Sequence, residues 1–398
     1  MKNVIIFDAS DVRDNLLPIT YTRPISHIRI GIDTIFEKWQ SFIPDASLSP
    51  LTVPYLQGKF PTNFSDDNIF IAGHIIPDKE LSVAAESLNL GEALIADDTL
   101  IAFRGTKDDF ENRRFKSSTT YHGIVRKIFW LYDIFQMNGD VMHSDFRRIT
   151  ANRTSQKLSA TNLVIGDPLF SDGTPKIFIE EGATLEGVTL NVTDGPIYIG
   201  KDANIMEGTC IRAPFAACLH SQVNMCAKIY GATTLGPYCK VGGELNNVVM
   251  IGYSNKAHDG FLGNAVIGEW CNLGGGTTAS NLKNDYSEIK LWNYPAHRFL
   301  RTGLQFCGLI MGDHSKAGIN CMFNTATVIG VGVNIHGAGF PRNFVASFLE
   351  GSTSGYTDVS LPRFFTIAER VMVRRNIFLT DVDKEIFTAI YNIADSYK

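Results

Sequence analysis

From Ile199 onward the chain places an aliphatic side chain at every sixth position: Ile199, Ile205, Ile211, Ala217, Val223, Ile229, Leu235 and Val241. A helix would repeat its apolar face near 3.6 residues and a half-buried strand every second residue, so a sustained period of six predicts a parallel β-helix built from hexapeptides. Three hexads close one coil of about 18 residues, and coils stack at about 4.8 Å so that backbone groups pair with the coils above and below. Four residues after most of these positions stands a residue small enough to turn a corner, such as Ala203, Ser221, Ala227 or Cys239. The register returns at Met311, Ala317, Phe323, Ile329 and Ile335, with shorter echoes at Ile179 and Leu185 and at Ile267 and Leu273. The β-helix is therefore expected over residues 160–345.

The register slips twice, between Val241 and Ile267 and between Leu273 and Met311. Both slips are expected to be loops that leave the prism, and loops held on a rigid scaffold favour chemistry. The open ends of such a solenoid need covering. Phe364, Ile367, Ala368, Val371 and Met372, then Ile386, Ile390 and Ile393, repeat at helical spacing, which predicts two C-terminal helices within 346–398. Before the repeats, Val4–Phe7, Ile69–Ala72, Ala93–Ala96 and Leu100–Phe103 read as strands, with helical stretches near Thr34–Trp39 and Lys127–Gln136. An α/β domain over residues 1–150 is the expectation. A ligand would sit at the C-terminal ends of its parallel strands, next to Asp8.

A formal net charge of −5 gives no sign of a nucleic-acid partner, and no apolar run of about 18 residues is present to span a membrane. The composition suits a cytoplasmic protein. All seven cysteines lie between residues 210 and 321 without a Cys-x-x-Cys pair, so neither a disulfide framework nor a structural zinc site is expected. Cys239, Cys271 and Cys321 take the corner position of their hexads as small hydrophobes.

The segment after the first strand carries Arg13, Arg23 and Arg29 among hydroxyls. Guanidinium groups suit phosphate oxygens, and they equally suit surface pairing with Asp8, Asp11, Asp14 or Asp33. Leu17-Pro18-Ile19-Thr20, with Arg13 before it and Arg23-Pro24 after it, resembles the start of sugar-phosphate nucleotidyltransferases. That resemblance implies a nucleotide site at Asp8, Arg13, Thr20 and Arg23, with UTP and Mg2+. The chain departs from the family pattern at three points. Asp8-Ala9-Ser10-Asp11 stands where a glycine-rich loop is expected, Ile25 stands where a lysine follows the proline, and Ala72-Gly73-His74 stands where a metal-binding aspartate often occurs. A loop without glycine brings its amides less close to a triphosphate, so the expectation is a shortened nucleotidyltransferase-like domain with altered or degenerate activity.

Residues 240–281 hold the richest motifs. Ser254-Asn255-Lys256-Ala257-His258 with Leu262-Gly263-Asn264, then Asn272-Leu273-Gly274-Gly275-Gly276-Thr277, resemble the acetyltransferase half of the GlmU family. These are bifunctional N-acetylglucosamine-1-phosphate uridylyltransferases and glucosamine-1-phosphate N-acetyltransferases. Asn281-Leu282-Lys283, Gly312-Asp313-His314 and Gly318-Ile319-Asn320 resemble its archaeal-type branch. The resemblance implies a left-handed β-helix, acetyl-CoA as cosubstrate, a sugar-phosphate acceptor and a homotrimer. It also implies His258 as the catalytic base, Glu244, Asn272 and Asn281 on the substrate, and Gly275, Gly318, Lys316 and Gly337 along the cofactor, with Arg298 and Arg301 as further cations for its phosphates. The family lysine that meets the sugar phosphate falls at Asn246, which leaves Lys256 or Lys228 to replace it.

The residue chemistry agrees. Acyl transfer from a thioester needs a proton acceptor for the amine and donors for the oxyanion. An imidazole titrates near neutrality, and glycine amides can approach a carbonyl unobstructed. The plain alternative for His258 is a surface histidine held by Asp259. Two other readings remain: a non-catalytic trimeric scaffold, and a zinc enzyme of the γ-carbonic-anhydrase type, for which the chain lacks the family's His-x4-His pair.

Overall fold

The computed structural model describes residues 2–398, and the chain divides into two compact units. One comprises the chain up to Ile28, Asp33–Trp130 and Asp381–Ile386; the other comprises Arg29–Ile32, Leu131–Thr380 and Phe387–Lys398. Residues 131–150, placed with the N-terminal domain on sequence pattern, pack with the β-helix. Among the described residues no helix is long and apolar enough to cross a membrane.

The first unit is built on a six-stranded sheet. Asn3–Phe7 lies parallel between Ser47–Leu51 and Asn68–Ala72, and Thr99–Gly105 then runs antiparallel to Asn68–Ala72. Val4, Ile5 and Ile6 are fully buried because the strand is covered on both faces. The helix Ile35–Phe42 starts at Thr34, whose hydroxyl accepts from the Glu37 amide while Glu37 reaches back, a capping box worth about 1 kcal/mol. The helix expected over Lys127–Gln136 is mostly absent. Arg126–Lys127 pairs as a short strand with Ile75–Ile76, and helix forms only over Asp133–Gln136 before Asn138–Thr150.

The second unit is a parallel β-helix. Inward side chains stack in columns: Ile199, Ala217, Leu235 and Met250 follow one another on one side, and Leu185, Ile205, Val223 and Val241 on another. The two register slips differ in kind. The first is not a loop. Val241 is followed inward by Leu245, Met250 and Lys256, so the coil shortens, and Glu244–Gly252 and Phe261–Glu269 become continuous nine-residue strands. The second is a true excursion. The register continues to Ala279, and the chain then leaves the prism, forms the hairpin Lys290–Asn293 with Arg298–Arg301, and returns at Met311.

One corner carries an aromatic column. His220, Tyr238, Tyr253, Trp270 and His314 all adopt positive φ, between 53° and 60°. Their rings stack coil upon coil, with Tyr253 and Trp270 at 4.4 Å and 12°. Left-handed backbone is unfavourable for bulky residues, and ring stacking across coils offsets part of that cost.

At the C-terminal end Leu349–Ser352 folds back on Gly355–Asp358, which pairs the last exposed strand edge. The helix Leu361–Val373 sets Phe364 against Phe348, and Phe387 from the helix Asp381–Ala394 packs on Phe364 and His314. On the side of the prism, Asn138–Thr150 lays Met142 and Phe146 into a cluster with Phe178, Ala216 and Cys218.

Candidate active site

The first unit has a cavity of about 520 Å³ at the end of Asn3–Phe7, lined by Asp8, Asp11, His74, Arg113 and Lys127 among others. Of the four residues expected to bind nucleotide, three have turned inward: Arg13 is 3% exposed, Thr20 0% and Arg23 4%. Arg13 donates to Asp8, to the carbonyls of Thr20 and Arg23 and to the Tyr55 hydroxyl. Arg23 donates to the Ile19 carbonyl. Asp8 reaches the cavity wall, yet its oxygens accept from Arg13, Thr52 and the Ile25 amide. Arg29 belongs to the other unit, where it is buried and donates to the carbonyls of Ile251 and Ile32. Arg13 does pair with Asp8, as one of the two readings had it, but in a buried place and not on the surface, and carbonyl oxygens engage all three arginines. In place of the glycine-rich loop stands the short helix Ser10–Asn15. His74 is buried with Nδ1 unpartnered, and burial lowers its pKa to about 4, with Lys127 adding to the effect. Among the described residues no three His, Cys, Asp or Glu side chains stand together as metal ligands. With Asp8 engaged, the residues at this cavity do not fit Mg2+.

On the β-helix two cavities share a wall. One, of about 610 Å³, is lined by Lys240, Tyr253, Asn255, Trp270, Asn272 and the end of the Leu361–Val373 helix. The other, of about 780 Å³, is lined by Asn224, Gly243, Asp259 and Gly276 among others. Ala257, His258, Gly275 and Ile319 line both. His258 is exposed on the corner that follows the shortened coil, and neither a hydrogen bond nor an ion pair joins it to Asp259. Its ring lies over Gly275, where an added Cβ would stand 3.5 Å from His258 Cβ.

The three glycines behind it differ in role. Gly274 and Gly276 donate to the carbonyls of Ala317 and Asp259. A Cβ on Gly274 would come within 2.6 Å of the Gly318 backbone, and one on Gly276 within 2.1 Å of the Asn320 side chain. Coil stacking requires both. Among the described residues none accepts from the Gly275 amide, which leaves a free donor on the wall shared by the two cavities. A ladder rung is also missing here: Asn224, Gly242, Gly274 and Gly318 each donate to the next coil, and Ala257, the equivalent residue beside His258, does not.

Lys256 does not meet a substrate phosphate. It occupies the inward column between Val241 and Leu273 and is 1% exposed. Its ammonium donates to the carbonyls of Gly242 at 3.2 Å and His258 at 2.7 Å, tying the His258 corner to the coil beneath. Burial pushes its pKa down to about 8. Lys316 lines the 610 Å³ cavity, but its ammonium is held by the carbonyls of Trp270 and His314, and burial lowers it likewise to about 8. Asn272 is exposed on the cavity wall. Glu244 accepts from the Tyr230 hydroxyl and Asn281 donates to Asn264, and neither lines a cavity described above. Gly318 and Gly337 also lie off both walls, and the positive φ of Gly337 marks a turn. Arg301 pairs with Glu288 on the excursion hairpin. Lys240, Tyr253, Trp270, Arg374 and Arg375 escaped the sequence reading. The available signals were aromatic residues at successive corners and the Arg-Arg pair closing a helical pattern.

Residues 4–154 match the sugar nucleotidyl transferase family. The chain is 24% identical over 218 residues to the bifunctional protein GlmU of Synechococcus elongatus, covering 51% of this chain and 44% of that protein. It is 30% identical over 144 residues to a bifunctional sugar-1-phosphate nucleotidylyltransferase/acetyltransferase of Sulfurisphaera tokodaii, covering 36% and 35%. The chain thus spans less than half the length of these relatives. Among solved structures, the UDP-N-acetylglucosamine acyltransferase of Francisella novicida matches 61% of this chain and 79% of its own, at 12% identity and a TM-score of 0.33. AntD, an N-acyltransferase from Bacillus cereus, matches 45% and 91% at 12% identity and a TM-score of 0.28.

Proposed function

We propose that the β-helix transfers an acetyl group from acetyl-CoA to the amine of an amino-sugar phosphate of the glucosamine-1-phosphate type. The observation that carries this reading is the wall of Ala257, His258, Gly275 and Ile319 shared by two cavities, which gives donor and acceptor separate approaches to one imidazole. Gene relatives that bear both a nucleotidylyltransferase and an acetyltransferase name support the choice of acyl group and acceptor.

In this reading the amine nitrogen attacks the thioester carbonyl carbon, and His258 accepts the proton that the amine loses. The Gly275 amide donates to the carbonyl oxygen as it becomes negative. The carbon–sulfur bond then breaks, and the proton passes to the leaving sulfur, giving an N-acetylated sugar phosphate and free CoA. Asn272, exposed on the wall of the 610 Å³ cavity, offers a donor and an acceptor to sugar hydroxyls. Nucleotide transfer with UTP is not part of the proposal, because Asp8 and Arg13 are engaged with each other and their neighbours. Assembly as a homotrimer in the cytoplasm belongs to the same proposal, and sedimentation equilibrium tests the trimer.

The deciding experiment incubates the protein with acetyl-CoA, UTP, magnesium and glucosamine-1-phosphate and resolves the products by mass. Acetylated sugar phosphate without UDP-sugar is expected. Absence of acetylation across amino-sugar phosphates would replace this reading with that of a scaffold.

A further inference from the structure

The acceptor's phosphate lacks its expected lysine, since Asn246 stands there and Lys256 is enclosed in the prism. The 610 Å³ cavity beside His258 offers another answer. Lys240 reaches it from the β-helix, and Arg374 and Arg375 reach it from the end of the Leu361–Val373 helix. Among the described residues no Asp or Glu lines this cavity, and none of the three cations takes part in an ion pair. Arg375 makes one weak bond, from Nη2 to Asn255 Oδ1 at 3.4 Å, and its buried Nε has no partner.

Arginines at a helix C-terminus are favoured by the helix dipole alone. That does not account for Lys240, which lies on a different element and is repelled by both. Burial lowers the Lys240 pKa, and Arg375 and Arg374 lower it further. Three like charges gathered in a cleft without a counter-charge raise the energy of the empty site, and a bound anion relieves that repulsion. The two guanidinium forks and one ammonium suit a phosphate group, which takes bidentate bonds from arginine and a point charge from lysine. We propose that Lys240, Arg374 and Arg375 form a phosphate subsite that the C-terminal helix closes over the β-helix. The subsite holds either the phosphate of the acceptor sugar or the phosphates of the thioester donor. Its existence stands on the cation cluster, and only the choice of source rests on the acetyl-transfer reading.

Calorimetric titration with inorganic pyrophosphate at low ionic strength tests the subsite without any turnover. Wild type is expected to bind, and added salt should weaken binding. Arg374→Gln with Arg375→Gln, and separately Lys240→Gln, should each weaken binding by about tenfold or more. Arg375→Lys should recover part of it, and Lys201→Gln, on an exposed turn, should change nothing. Melting temperatures of all variants establish that they are folded. Wild type that fails to bind at millimolar pyrophosphate, or folded variants that bind as tightly as wild type, would overturn the subsite.

The source follows from two further pairs of titrations. If glucosamine-1-phosphate loses affinity in the arginine variant while glucosamine does not, the acceptor phosphate sits here. If CoA loses affinity and pantetheine does not, the donor does. Pyrophosphate binding without acetyl transfer in wild type would sink the acetyltransferase reading and leave the subsite standing. Acetyl transfer with both KM values unchanged in the arginine variant would leave the acetyltransferase reading standing and overturn the assignment of the subsite to either substrate.

Discussion

Arg13 and Arg23 of the N-terminal unit and Lys240, Arg374 and Arg375 at the β-helix cavity are used in opposite ways. In the N-terminal unit Arg13 and Arg23 are buried and their donors are taken by backbone carbonyls, Asp8 and Tyr55, so these cations hold the segment after the first strand in place. At the β-helix cavity Lys240, Arg374 and Arg375 are without ion pairs. The same residue types are architecture in one region and candidate recognition groups in the other. What separates them is the number of donors left over once the protein's own acceptors are satisfied.

The sharpest way to break this comparison is to remove Arg13. Arg13→Met leaves Asp8, two carbonyls and the Tyr55 hydroxyl short of a partner in a buried place, and should cost about 3–5 kcal/mol of stability by urea denaturation. A loss below about 1 kcal/mol would mean that Arg13 is free for a ligand after all. On the β-helix side, His258→Ala should lower acetyl transfer at least about 100-fold, equal to about 2.7 kcal/mol, with little change in melting temperature. Turnover close to wild type would remove His258 from the mechanism.

Lys256 tests the boundary between the two roles, because it is a cation inside the core next to the site. Its folded pKa, about 8, lies below the unfolded value of 10.5. The unfolded chain therefore holds the proton more tightly between those values, and stability gained from this group rises with pH across that window. Wild type should gain stability relative to Lys256→Met from pH 8 to 10, and a flat difference would contradict a buried, readily deprotonated lysine. The smallest effect is expected at Asn281. Asn281→Ala removes the bond to Asn264 and should cost about 1 kcal/mol with KM unaltered. A raised KM would return Asn281 to the substrate.

Much of the fold was legible because hexad spacing is a local rule, and strands such as Asn3–Phe7 and Asn68–Ala72 are short apolar runs of the expected kind. The C-terminal helices at Leu361–Val373 and Asp381–Ala394 were legible for the same reason. The slip after Val241 was misread as a loop, since a shortened coil and an excursion both break a period of six. Only strand pairing tells them apart. Lys256 stands with Lys228 as a substrate cation in the sequence because Asn246 takes the place of the family lysine. Its position in the inward column becomes visible only when Val241, Lys256 and Leu273 are stacked.

Hexapeptide coils, an α/β sheet before them and the position of His258 within the first register slip can all be read from the sequence. Each of these follows from periodicity, apolar runs and turn-sized residues within a few positions of one another. Tertiary structure alone decided which charges remain available. Whether a donor is free depends on carbonyls supplied by other coils and other helices, and such a partner can lie 222 positions away along the chain, as the Ile251 carbonyl does from Arg29.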